Sequence, residues 1–67
     1  MFEFGSVYRN RRFGYVVRCD GAWNDHSDRS GFMVATILDR GQITDEREQV
    51  GTQIAYAWPW SEMEKVS

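Results

Sequence analysis

Asp25, His26 and Asp28, in the stretch DHSD, are the side chains best equipped for chemistry in this 67-residue chain. Two carboxylates beside an imidazole suit a divalent metal, and Cys19 and Asp20 lie a few residues upstream as further donors. A structural zinc needs a closed set of four ligands, however. His26 is the only histidine, and the spacing matches no known site. The same imidazole beside Asp25 or Asp28 is chemically able to move protons, but no nucleophile accompanies it and no apolar pocket is in evidence to tune it. A solvated loop accounts for the segment. No catalytic residue, metal or cofactor is expected, and the chain is read as a non-enzyme. Cys19 is read as a small structural residue, because the neighbouring Asp20 carboxylate opposes formation of a thiolate.

The stretch YRNRRFGY interleaves Arg9, Arg11 and Arg12 with Tyr8, Phe13 and Tyr15. Guanidinium groups neutralise phosphates and aromatic rings stack on bases, so these residues are the candidate nucleic-acid site. The competing reading makes Tyr8 and Tyr15 cross-strand partners in a hairpin, with the arginines at its solvated tip.

A third group is YAWPWSEM, which places Trp58 and Trp60 on either side of the only proline, while Trp23 stands in a polar segment. Tryptophan is enriched at binding hot spots because it buries a large area and keeps an N–H donor. Trp58 is expected to plug the core, Trp60 to pack on its end, and Trp23 to be the most exposed. Trp23, Trp60 and Phe13 are the candidate protein-contacting residues.

These groups need a scaffold, and length limits it to one domain spanning residues 1–67. A chain this short buries only about 60% of its unfolded surface. One cysteine excludes an internal disulfide and fits a reducing cytoplasm. The 15% aromatic content is one route to extra buried area. The N-terminal MFEFGS lacks the features of a signal peptide, and no apolar run approaches the roughly 20 residues of a membrane span. The expected setting is the cytoplasm, with no membrane partner. Net charge is −2, but residues 1–20 carry four arginines against two carboxylates, whereas residues 21–67 carry four basic and eight acidic side chains. Overall charge therefore favours a protein partner over nucleic acid.

Turn signals every 8–12 residues separate short β-prone runs, the pattern of a small all-β domain. FGSVYR is the first strand, and NRRFG turns it. YVVRC is the second, ended by Asp20-Gly21. Residues 20–31 form a long polar loop. FMVATILD is apolar on both faces and is expected to be central or doubly covered. Asp39-Arg40-Gly41 fits a three-residue hairpin turn with Gly41 left-handed, which would start the next strand near Gln42. For residues 45–57, helical spacing of Val50, Ile54 and Ala57 competes with period-two spacing of Val50, Thr52, Ile54, Tyr56 and Trp58. Gly51 costs a helix about 1 kcal/mol, so a strand over Val50–Trp58 is preferred, with Asp45–Glu48 as an exposed tip. Pro59 ends that strand. Ser61 and Glu64 fit a capping box for one helical or 3₁₀ turn before a last short strand at Lys65–Val66.

The order strand, turn, strand, long loop, hairpin, strand, helical turn and terminal strand resembles the SH3-like barrels. That resemblance implies a small five-stranded barrel with a short helical turn near the C-terminus and a last strand returning beside the first. The acidic ALYDY-type signature of proline-binding SH3 domains is absent. The chain is also similar, in its shortness, aromatic content and acidity, to small early proteins of bacteriophages, which implies a host protein or an assembly protein as partner in the host cytoplasm. The leading expectation is an inhibitor or adaptor that binds protein. Nucleic-acid binding through Tyr8, Arg9, Arg11, Arg12 and Tyr15, and a structural subunit of a larger assembly, are the alternatives. Self-association through an edge strand accompanies them.

Overall fold

The computed structural model describes residues 2–23 and 29–67. Its strands are β1 (Val7–Asn10), β2 (Val16–Trp23), β3 (Ser30–Asp39), β4 (Gln53–Pro59) and β5 (Met63–Lys65), with a 3₁₀ turn over Trp60–Glu62 between the last two. All pairings are antiparallel and make one sheet ordered β4-β3-β2-β1-β5. The chain is therefore all-β. The sheet remains open, with β4 and β5 as its edges. The last strand does return beside the first, pairing Tyr8 with Lys65 and Asn10 with Met63. It is shifted from the expected position to Met63–Lys65.

β3 is the spine. Its alternation is clear: Gly31, Met33, Ala35 and Ile37 are buried, whereas Phe32, Val34 and Thr36 are half-buried and Leu38 is exposed. β3 is central, as one arm of the expectation had it, with β2 on one side and β4 on the other, and among the described residues the core covers one of its faces. With Phe2, Tyr8, Val17, Cys19, Trp58 and Met63, the inward residues of β3 form a single core. Trp58 is 4% exposed, and its Nε1 donates to the Met33 carbonyl at 2.8 Å. Trp60 packs against Phe2 with ring centroids 4.6 Å apart. It also lies over Gly31, where an added Cβ would overlap its ring.

β2 does not stop at Asp20-Gly21. A register shift between Cys19 and Gly21 marks a bulge, and the strand runs on to Trp23. Trp23 therefore belongs to a strand rather than to the long loop. β1 is shorter than FGSVYR and leaves Phe4 in solvent.

Residues 45–57 are not helical. The strand begins only at Gln53, because Gly51 N–H donates to the Ile37 carbonyl while Ile37 N–H donates to Thr52. That pair of bonds is a two-against-one bulge, and it throws Val50 out to 61% exposure instead of onto the inner face. Asp39-Arg40-Gly41 likewise does not form a tight hairpin. Gln42 N–H donates to the Phe13 carbonyl at 2.8 Å, so the turn leans on the β1–β2 turn rather than starting a strand. Gly41 has the expected positive φ, 52°, and a Cβ there would come 2.5 Å from the Tyr15 nitrogen. Pro59 precedes the 3₁₀ turn with no side-chain cap bond, so Ser61 and Glu64 do not make a capping box; Glu64 lies in β5.

Asn10 holds the β1–β2 turn. It is 2% exposed, and its Oδ1 accepts the backbone N–H groups of Arg12 (3.0 Å) and Phe13 (2.7 Å). Its Nδ2 donates to the Tyr15 hydroxyl at 3.1 Å and to the Met63 sulfur at 3.4 Å. Tyr15 thus sits opposite Asn10, and Tyr8 pairs with Val17; the two tyrosines are not cross-strand partners. Replacing Asn10 by Ala strips these buried groups of partners. Asn10→Ala should lower unfolding free energy by about 2–3 kcal/mol in a urea titration, and a loss under about 0.5 kcal/mol would exclude a clamp at this turn.

Candidate binding surface

Directly opposed residues of an antiparallel ladder share a face, so the register lays out the uncovered side of the sheet. Trp23, Phe32 and Ala57 form one row across β2, β3 and β4. Gly21, Val34 and Ala55 form the next. Trp23 is 56% exposed, and its ring meets Phe32 edge-on with centroids 5.6 Å apart. Ala55 and Ala57 are exposed, and Gly21 presents no side chain beside Val34. The result is an uncharged apolar patch with one large ring standing at its side.

The row beyond is polar. Asp20, the bulged residue, accepts bonds from Arg18 Nε (3.1 Å), Gln53 Nε2 (3.1 Å) and the Thr36 hydroxyl. Arg18 Nη2 also donates to Thr36 at 3.3 Å. Burial pushes the Asp20 carboxyl up, but the bonds from Thr36, Gln53 and Arg18 outweigh it and hold it below the ordinary carboxylate range. Arg18 and Asp20, two apart in β2, share this face by strand alternation, and the register shift between Cys19 and Gly21 brings Gly21 and Trp23 onto it as well.

The three expected protein-contacting residues lie in three places. Trp23 is on this patch. Phe13, 41% exposed, lines a groove of about 270 Å³ with Tyr15 and Ile43, rimmed by Asp45 and Glu48. The carboxylates there are engaged: Arg47 bonds Asp45 and holds its carboxyl low, and the Tyr56 hydroxyl donates to Glu48 at 2.7 Å. Trp60 is half-buried and lines a cavity of about 310 Å³ with Phe2, Tyr8, Met63 and Lys65.

The arginine–aromatic segment is arranged differently from a stacking platform. Tyr8 is 4% exposed, and its hydroxyl accepts the Glu3 N–H. Tyr15 is half-buried; burial first, with Glu62 and Glu48 adding to it against the Asn10 hydrogen bond, pushes its hydroxyl up to about 12. Arg9 and Arg11 face Glu64 at 2.6 and 3.5 Å, and Arg12 faces Glu62 at 3.9 Å while covering the Phe13 ring. Cys19 is fully buried; burial first, then Asp20, raises its thiol. Asp25, His26 and Asp28 lie outside the described residues. Among the described residues no group of three potential metal ligands occurs, and no helix is long and apolar enough to cross a membrane.

The sequence marks the doubly apolar FMVATIL run, which holds Phe32 and Val34, as suited to protein contact or self-association, but it singles out none of Phe32, Val34, Ala55 and Ala57. The available signal was the two-sided apolarity of FMVATILD in a chain too short to cover both sides. A scan against protein-family models and searches of curated proteins and of solved structures returned no match.

The Asp20 network has a pH signature. Because the folded carboxyl titrates below its unfolded value of 3.8, its contribution is fully present above about pH 4 and fades as pH falls through the folded value. Asp20→Asn should cost under about 1 kcal/mol near neutral pH, given the solvent nearby. The gap between wild type and Asp20→Asn in chemical denaturation should narrow below about pH 4; a gap that widens on acidification would contradict the assignment.

Proposed function

We propose that the chain is a non-enzymatic binding module of SH3-like barrel type that docks a protein partner on the outer face of β2, β3 and β4. The architectural half of this reading is supported by the meander β1 to β4, the bulge in β2, the 3₁₀ turn and the return of β5 to β1. The functional half rests on one observation: Trp23 stands 56% exposed beside an uncovered apolar patch with a hydrogen-bonded polar rim. Fully desolvated aromatic anchors surrounded by a water-excluding rim carry most of the energy in protein interfaces. A phage setting, with a host or assembly protein as the partner, fits the acidic aromatic composition. Nucleic acid is the weaker reading, since Arg9, Arg11 and Arg12 each face a carboxylate and Tyr8 lies in the core.

The test is capture from bacterial lysate with the tagged chain, with and without nuclease. A stoichiometric protein band that resists nuclease is expected, and Trp23→Ala should weaken it by about 2 kcal/mol or more, roughly thirtyfold, while leaving stability within about 0.5 kcal/mol. Recovery of nucleic acid, with loss on doubling Arg11→Ala and Arg12→Ala but none on Trp23→Ala, would overturn the proposal.

A further inference from the structure

The two edges of the sheet are unlike. β5 is three residues long and carries Glu64 and Lys65, the short and charged form in which edges are usually protected. β4 is seven residues, QIAYAWP, with no charge, no register shift against β3, and proline only at its end. Ala55, Tyr56 and Ala57 are all exposed.

The hydrogen-bond parity of β4 follows from its bulge. Ile37 spends its N–H and carbonyl on Thr52 and Gly51. Bonded and non-bonded pairs alternate in an antiparallel ladder. The pairs Ala35–Ile54, Met33–Tyr56 and Gly31–Trp58 are therefore the bonded ones, and Gln53, Ala55 and Ala57 turn their N–H and carbonyl groups away from β3. No backbone bond from these groups to another described residue occurs outside the strand ladders.

We propose that β4 pairs with β4 of a second copy of this chain, antiparallel, about a twofold axis at Ala55. That register matches Gln53 to Ala57 of the other copy and Ala55 to its counterpart, so the outward groups meet in full and Pro59 falls outside the new ladder. It sets Tyr56, 50% exposed, against Ile54, half-buried, of the other copy. The side chains nearest the axis are alanines, which leave the strands free to approach. The occupant is a second copy because the strand is self-complementary and neutral. Two chains of net charge −2 meet there with no charged β4 side chain opposed. The dimer extends the sheet and places two Trp23 patches on one continuous face. It does not require that those patches bind anything.

Sedimentation equilibrium of the full chain over rising concentration tests this. Wild type should dimerise, with slow hydrogen exchange at the Ala55 and Ala57 amides in the dimer. Ala55→Lys, on the exposed outer face, should weaken dimerisation at least about tenfold by placing like charges together. Ala57→Pro removes an outward N–H without touching the β3 ladder and should do the same, which covers the case of a poorly folded lysine variant. Trp23→Ala should leave the dimer intact, so failure of the docking face and failure of this edge are read separately. A wild-type monomer up to about 1 mM, or a dimer unaffected by either β4 variant, overturns the proposal.

Discussion

The arrangement of this domain depends on one buried amide. Asn10 ends β1, and its side chain does for the next turn what a backbone would do in a helix or ladder: Oδ1 takes up two N–H groups that the tight turn leaves without partners. Its Nδ2 reaches Tyr15 and Met63, which belong to the following segment and to the last strand. One residue therefore fixes where β2 begins and where β5 returns. The backbone bonds Arg11 N–H to Glu62 and Gln42 N–H to Phe13 then fasten the same turn to the 3₁₀ turn and to the β3–β4 connection. Low dielectric makes such a cluster costly if any member is unpaired, and no buried side-chain N or O atom among the described residues lacks a partner.

Size decides what the core can cover. Five strands of this length supply one inner face, and its core is filled by Met33, Ile37, Val17 and Cys19 together with the three aromatic residues Phe2, Tyr8 and Trp58. Among the described residues none forms a second layer over β2, β3 and β4. The apolar residues on that side are exposed or half-exposed. The bulge at Asp20 gives this face its asymmetry. Before the shift Arg18 and Asp20 meet Thr36 and Gln53 by ordinary strand alternation, and after it Trp23 falls into the Phe32 row.

Local patterns in the sequence identified what local physics controls. The β-prone runs YVVRC and FMVATILD marked the strands that run over Val16–Trp23 and Ser30–Asp39, and Asn10 and Gly14 marked the turn between β1 and β2. Pro59 marked the end of β4, and the short 3₁₀ turn followed as read. Three features were illegible because they depend on distant partners. The bulge at Asp20 is justified only by Thr36 and Gln53. The delayed start of β4 follows from the bonds of Gly51 and Thr52 to Ile37. Gly41 was legible as a turn glycine, but the backbone it packs against, at Gly14 and Tyr15, lies more than twenty-five residues away in sequence. Site residues were harder still: Trp23, Trp60 and Phe13 were grouped by residue type, and residue type does not say which face or which end a side chain occupies.

The pair Trp58 and Trp60 illustrates that last point. In a continuous strand, residues two apart share a face, and both indoles would compete for the same core volume. Pro59 ends the ladder between them, so Trp58 closes the strand with its ring inside and Trp60 opens the 3₁₀ turn. Trp60 is then carried to the Phe2 side of the core, where Gly31 leaves room for it. Both rings are used in folding, on the inner face of β3: Trp58 bonds the Met33 carbonyl, and Trp60 covers Gly31 two residues earlier. The remaining tryptophan, Trp23, stands on the opposite face beside Phe32, where no core demands it. This contrast with Trp58 and Trp60 is the physical argument behind the proposal that Trp23 acts in recognition.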